Sequence, residues 1–203
     1  MMVLLGIPTI IIKHFKDWSD IYMYEGIIDQ LKQKGVEFAI GLSDEELCWI
    51  EHKYEITFPK DLRSFYKEAL PISRGFYNWR DKCNENVLSI KNAMKMPVKG
   101  IVENSDEIDW SEEWGEEPSN FNERKKIIEN MVLEAPKLIP IFSHRYMASI
   151  SSESLPIFSI YGTDIICFAK NISDYFLVEF KIKQNSIFMN NEVSYIPFWS
   201  DLL

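Results

Sequence analysis

Apolar positions recur along this chain at two spacings, and the spacing divides it into helices and strands. Leu47, Ile50 and Tyr54 fall on one helical face, which predicts a helix over Asp44–Tyr54. Ser43-Asp44-Glu45-Glu46 ahead of it is a capping box, with Ser43 the cap and Glu46 the residue that bonds back. Leu62, Phe65, Tyr66 and Ala69 repeat the pattern over Lys60–Leu70, after the Phe58-Pro59 break and before Pro71. Trp18, Ile21, Tyr22, Ile28 and Leu31 predict a helix over Lys16–Lys34, stopped by Gly35. The runs Thr9–Phe15 and Val36–Ile40 on either side read as strands, so the first forty residues resemble a β-α-β unit.

The second half follows the same logic. Asn86–Met96 reads as a short helix ended by Pro97, with Lys99–Glu103 a strand. Ser119 is placed to cap a helix over Asn120–Ala135, with Phe121, Ile128, Met131 and Ala135 facing inward. Leu138–Phe142 is a strand. The runs Pro156–Tyr161 and Asp164–Ala169 flank Gly162-Thr163, a Gly-first pair suited to a type II′ hairpin turn. Asn171 opens a helix carrying Ile172, Tyr175, Phe176 and Phe180. Three stretches remain. Pro71–Glu85 is an aromatic loop whose Phe76, Tyr77 and Trp79 cover the sheet. Lys181–Asn191 is polar, and Tyr195–Leu203 is an apolar tail expected to dock. The pattern predicts one α+β domain over residues 1–203: a mainly antiparallel sheet with helices on it (42–203) and an N-terminal β-α-β extension (1–41).

Composition changes this picture little. In 203 residues, 46% hydrophobic side chains supply a full core, which excludes intrinsic disorder. No apolar run reaches the length of a membrane span. Met1–Ile12 lacks a basic leader and is broken by Gly6 and Pro8, so strand is the better reading there than signal peptide. Cys48, Cys83 and Cys167 form neither a zinc pattern nor a disulfide framework, and Cys48 and Cys167 read as small buried apolar groups. Reduced thiols in a cytoplasm are the simplest expectation.

Charge changes it more. Residues 1–100 carry 14 acidic and 14 basic side chains, whereas residues 101–203 carry 17 and 8 and so supply the whole net charge of −9. Asp106, Glu107, Asp109, Glu112, Glu113, Glu116 and Glu117 place seven carboxylates in twelve residues with no base among them. Such a surface repels phosphate backbones and attracts basic partners, which argues against direct nucleic-acid binding. Trp110 and Trp114 lie in the same stretch, either as contact anchors or folded back to hold the loop. The run lacks the acid spacing and glycine of a calcium loop.

Glu45–Tyr66 (EELCWIEHKYEITFPKDLRSFY) resembles the signature of the SUKH superfamily, the Smi/Knr-like proteins. Later blocks resemble one bacterial subgroup of it: Trp110-Ser111-Glu112-Glu113-Trp114-Gly115, Ala135–Ile141, His144-Arg145-Tyr146, Pro156–Ser159, Gly162–Ile166, Asp174-Tyr175-Phe176 and Glu179-Phe180. Ser143 stands where that subgroup has glycine, Ser152–Leu155 replaces a Gly-Asn turn, and Glu117 replaces an arginine. The resemblance implies an α+β fold and a non-enzymatic binding protein of the immunity type, with a monomer taken only as the default. Such proteins bind and neutralise toxins, often nucleases, and have no catalytic residue set attached to them. The charge count makes a basic toxin domain the expected partner, and no cofactor or metal is expected. The partner surface is then expected at Asp106, Glu107, Asp109, Trp110, Glu112, Glu113, Trp114, Glu116 and Glu117.

Two alternatives stay open: a regulatory domain that binds an endogenous protein, and an enzyme using His144, Arg145 and Asp164. In the second, Arg145 pairs with Asp164 or with the acidic loop. The bland reading makes His144-Arg145-Tyr146 a hydrogen-bonded corner. Ser159 with His144 and Asp164 has the residue types of a triad but lacks a nucleophile elbow.

Overall fold

The computed structural model describes residues 23–184 and 192–203. The predicted strand Thr9–Phe15, the first part of the Lys16–Lys34 helix with Trp18, Ile21 and Tyr22, and most of the Lys181–Asn191 loop lie outside the described residues. The first element among the described residues is α1 (Glu25–Gln33), which buries Ile28 and Leu31 and ends ahead of Gly35 at φ +86°. β1 (Phe38–Ile40) follows. α2 (Asp44–Tyr54) has both halves of its capping box: Ser43 Oγ accepts from Glu46 N at 3.2 Å, and Ser43 N donates to Glu46 Oε2 at 2.8 Å.

α3 (Lys60–Glu68) is shorter than its apolar spacing predicts. Ala69 leaves the helix in an extended conformation, and β2 (Ala69–Pro71) pairs antiparallel with β1. Leu70 is fully buried in that strand. Pairing with β1 overrides the helical register over these last residues. Arg80, in the loop beyond β2, ties this small sheet to α2. Its guanidinium donates to Ile40 O and Gly41 O, each at 2.9 Å, and grips Glu46 at 2.6 and 3.0 Å. That pairing, with the backbone bond from Ser43, holds the Glu46 carboxyl down at about 2.

α4 (Asn84–Glu103) corrects the expectation of a short helix followed by a strand. It runs unbroken through Pro97. A proline there removes the N–H that would bond the carbonyl four residues back, at Ala93. Tyr146 Oη donates to Ala93 O at 3.2 Å and replaces that bond from the sheet. Cys83 caps the helix, its Sγ accepting from Asn86 N at 3.4 Å. Cys48, read as a small buried group, is exposed on α2 beside buried Leu47, because consecutive helical residues do not share a face.

α5 (Phe121–Glu134) is capped by Asn120 rather than Ser119, Asn120 Oδ1 accepting from Asn122 N and Glu123 N. Its buried face carries Ile128 and Val132, whereas Phe121, expected inside, is 56% exposed. The main sheet is an antiparallel meander of β3 (Leu138–Phe142), β4 (Arg145–Ala148), β5 (Ile157–Tyr161) and β6 (Asp164–Ala169), in that spatial order. Pro140 sits in edge strand β3, where a missing N–H costs no interior bond.

The hairpin turns at Gly162, φ +63°, and Tyr161 pairs with Asp164 across it. The Gly162 backbone meets α4 at Gly100, where a Cβ would lie 2.9 Å from Gly162 O, so the helix approaches the turn closely only because residue 100 lacks a side chain.

Side chains alternate across the sheet. Tyr146 reaches α4 on one face, backed by α5, while Arg145 reaches α6 (Ile172–Glu179) on the other. α6 is capped by Asn171 Oδ1, which accepts from Asp174 N at 2.9 Å. The Phe176 ring lies tilted against Phe65 of α3 at 4.5 Å, and Phe65 meets Tyr24 edge-on at 5.4 Å. α1, α3 and α6 therefore share one core. In the aromatic loop, Trp79 is fully buried against Tyr54 and Phe58, and Phe76 packs on Phe142 and Phe180. None of the described helices is long and apolar enough to cross a membrane.

Candidate functional site

The acidic stretch leaves α4 at Asn104 and returns at α5, and a single arginine gathers its two limbs. Arg124, in the first turn of α5, donates from Nη1 to Ser105 O at 3.0 Å and from Nη2 to Ile108 O, and its Nε pairs with Glu117 Oε1 at 2.6 Å. Its side chain is only 13% exposed. Between these ties the chain makes one 3-10 turn, Glu112–Trp114, capped by Ser111, and leaves it at Gly115 with φ +82°.

Both tryptophans turn inward. Trp110 Nε1 donates to Gly115 O at 2.8 Å, and its ring meets that of Trp114 edge-on at 5.4 Å. Trp114 lies parallel to Phe198 of the C-terminal tail at 5.6 Å, and its Nε1 donates to Asp201 Oδ2 at 2.9 Å. The tail is itself docked: Ile196, Phe198 and Trp199 are buried, and Trp199 Nε1 donates to Pro136 O at 2.8 Å. All seven acidic residues of the loop remain exposed.

Aromatic and cationic groups thus hold the backbone from within while the carboxylates face water, where mutual repulsion is cheapest. The field of the loop reaches its neighbours. The Tyr195 phenol is pushed up to about 12, first by its hydrogen bond to Asp201, with the charge of Glu113 among the smaller causes. Thr163 Oγ1, in the hairpin turn, donates to Glu107 Oε2 at 3.4 Å.

The His144-Arg145-Tyr146 corner is built differently. Ser143 takes the left-handed conformation at φ +50°. The turn is fastened by Ser143 N to Gly75 O at 2.8 Å and by Tyr77 Oη to Ser143 O at 2.7 Å. Arg145 pairs with neither Asp164 nor the acidic loop. Its Nε donates to Glu179 Oε2 at 2.9 Å, its Nη1 donates to Ser159 Oγ at 2.8 Å, and the guanidinium sits 4.1 Å from the Phe168 ring centre. Asp164 stands at the hairpin turn, exposed, opposite Tyr161. Ser159 is thus engaged by Arg145, and His144 is bonded through Nδ1 to Ser143 Oγ at 3.2 Å. Burial, and then the charge of Arg145, lowers the His144 pKa below its ordinary value.

One further site escaped the sequence reading. A cleft of about 880 Å³ opens between Tyr24, the start of α3 and the start of α6. Burial pushes the Asp61 carboxyl up to about 6, and Glu68 is raised for the same first reason. Glu68 Oε2 accepts from Tyr24 N at 3.0 Å, while its buried Oε1 has no hydrogen-bond partner among the described residues. In the sequence both acids simply occupy the polar face of α3, and their burial depends on α1 and α6 arriving from elsewhere.

Comparison of the chain with known protein families, with curated proteins and with solved structures finds no match.

Proposed function

We propose that this chain is a non-enzymatic binding module of the immunity type, acting in the cytoplasm, which neutralises a basic toxin domain through the Asp106–Glu117 surface. The observation that carries the reading is the loop's construction: seven exposed carboxylates on a backbone held by Trp110, Trp114 and Arg124. A charged surface fixed before contact loses little conformational entropy on binding, and its field speeds the approach of an oppositely charged partner. A nuclease domain is a fitting partner, since a surface that binds phosphate backbones also attracts clustered carboxylates. The motifs that resemble the SUKH superfamily support the same reading.

Co-purification of the tagged chain with the product of a neighbouring toxin gene tests it. The expected result is a stoichiometric complex that weakens steeply with salt. A complex indifferent to salt would overturn the electrostatic mechanism. The absence of any complex, with capture of a host protein instead, would replace the immunity reading with a regulatory one.

A further inference from the structure

A groove of about 610 Å³ runs between α4, α5 and the start of β3, on the face of the sheet away from Arg145. Its α4 wall carries two parallel rows. Met94, Val98 and Val102 form an apolar row one turn apart, and Lys91, Lys95 and Lys99 form a cationic row at the same spacing. Leu133 of α5, 69% exposed, supplies apolar surface on the opposite wall. Lys53 and Lys137 extend the positive rim. Among the described residues the only carboxylates paired with this rim are Glu55, on Lys137 at 2.9 Å, and Glu103, on Lys99 at 3.7 Å. Lys53, Lys91 and Lys95 make no ion pair among the described residues. In a chain of net charge −9, this is a local reversal of sign around an apolar floor.

We propose that the groove is a second binding surface, separate from the acidic loop, for an acidic amphipathic helix of a protein partner. Charge complementarity fixes the sign of the occupant, and the spacing fixes its form. Three lysines over nine residues of helix spread positive charge along about 12 Å. A single carboxylate head group meets such a row at one point. A helix with acids one turn apart meets it along its length and lays its own apolar row against Met94, Val98 and Leu133.

The test uses the full chain and a rhodamine-labelled helical peptide of about 18 residues, with leucines on one face and glutamates flanking them. Fluorescence anisotropy is compared with that of a glutamine-for-glutamate peptide, and sodium palmitate serves as competitor. The expected result is binding of the glutamate peptide that falls at least ~10-fold in the glutamine peptide and in the chain carrying Lys91→Glu and Lys95→Glu. Leu133→Ser is expected to weaken it separately, with an unchanged circular dichroism spectrum. A chain with Glu112→Gln, Glu113→Gln and Glu116→Gln is expected to bind the peptide as wild type does, so failure here is distinct from failure of the acidic loop. Equal binding of both peptides, or unchanged binding by the Lys91→Glu, Lys95→Glu chain, would overturn the proposal. So would palmitate binding at the lysine row without displacement by peptide, which would make the site one for acyl anions. Groove-dependent self-association in sedimentation would also overturn it, by making the occupant a second copy of this chain.

Discussion

At the Arg145 corner charge is turned inward, whereas in the Asp106–Glu117 loop it is turned outward, although both regions combine aromatic rings with ionised groups. Arg145 and Glu179 are 13% and 17% exposed, and the guanidinium commits Nε to Glu179 and Nη1 to Ser159. In the loop the indoles and Arg124 are committed, Glu117 pairs with Arg124, and the other carboxylates are left facing solvent. A group already satisfied inside the protein has little to offer a partner. An exposed charge on a fixed backbone offers its full field. The contrast separates two stretches that look equally functional in the sequence: the corner builds the platform, and the loop presents a surface.

The largest effect should come from the corner. Arg145→Ala strands Glu179 in a nearly buried position, and urea denaturation is expected to show a loss of about 3–5 kcal/mol. Replacing both partners with apolar residues (Arg145→Met with Glu179→Leu) should recover most of that loss. If the single change costs no more than a surface pair does, the corner is not an internal lock. Next comes Trp114→Ala, which removes the stack on Phe198 and the bond to Asp201. A loss of about 2–3 kcal/mol is expected, with faster proteolysis between Asp106 and Pro118 as its local signature.

A pH titration sharpens the contrast at an intermediate level. The Glu46 carboxyl, held at about 2 by Arg80 against an ordinary 4.5, contributes stability that is fully present above pH 4.5 and lost as pH falls through 2. Glu46→Gln should therefore cost about 1–2 kcal/mol at neutral pH, after allowance for solvent screening, with the cost vanishing as pH falls below 2. An equal cost in both ranges would assign its role to capping alone. The smallest effect on stability belongs to the loop itself. Glu112→Gln, Glu113→Gln and Glu116→Gln together should change unfolding free energy by no more than about 0.5 kcal/mol. Glu117 is spared because it holds Arg124.

Much of the fold was legible because its signals are local. Ser43 to Glu46 and Gly162-Thr163 each specify a turn or cap within four residues, and both form as read. Errors arose where a distant residue decides the outcome. Pro97 looks like a helix end until Tyr146 supplies a donor for Ala93 O from another element. Leu70 looks helical until β1 provides a strand to pair with. The composition of the acidic loop was plain, but the inward direction of Trp110 and Trp114 depends on the tail docking beside them, and no periodicity encodes that. The Asp61 cleft and the lysine-rimmed groove were invisible for the same reason, since each exists only where separate helices meet.

The most direct test of the account is calorimetric titration of the toxin domain proposed as partner into the wild-type chain and into the Glu112→Gln, Glu113→Gln, Glu116→Gln chain, at low and at physiological salt. The account predicts at least ~10-fold weaker binding by the variant at low salt, a shallower salt dependence and an unchanged fold. Equal affinities with equal salt dependence would contradict it and place the contact surface elsewhere on the molecule.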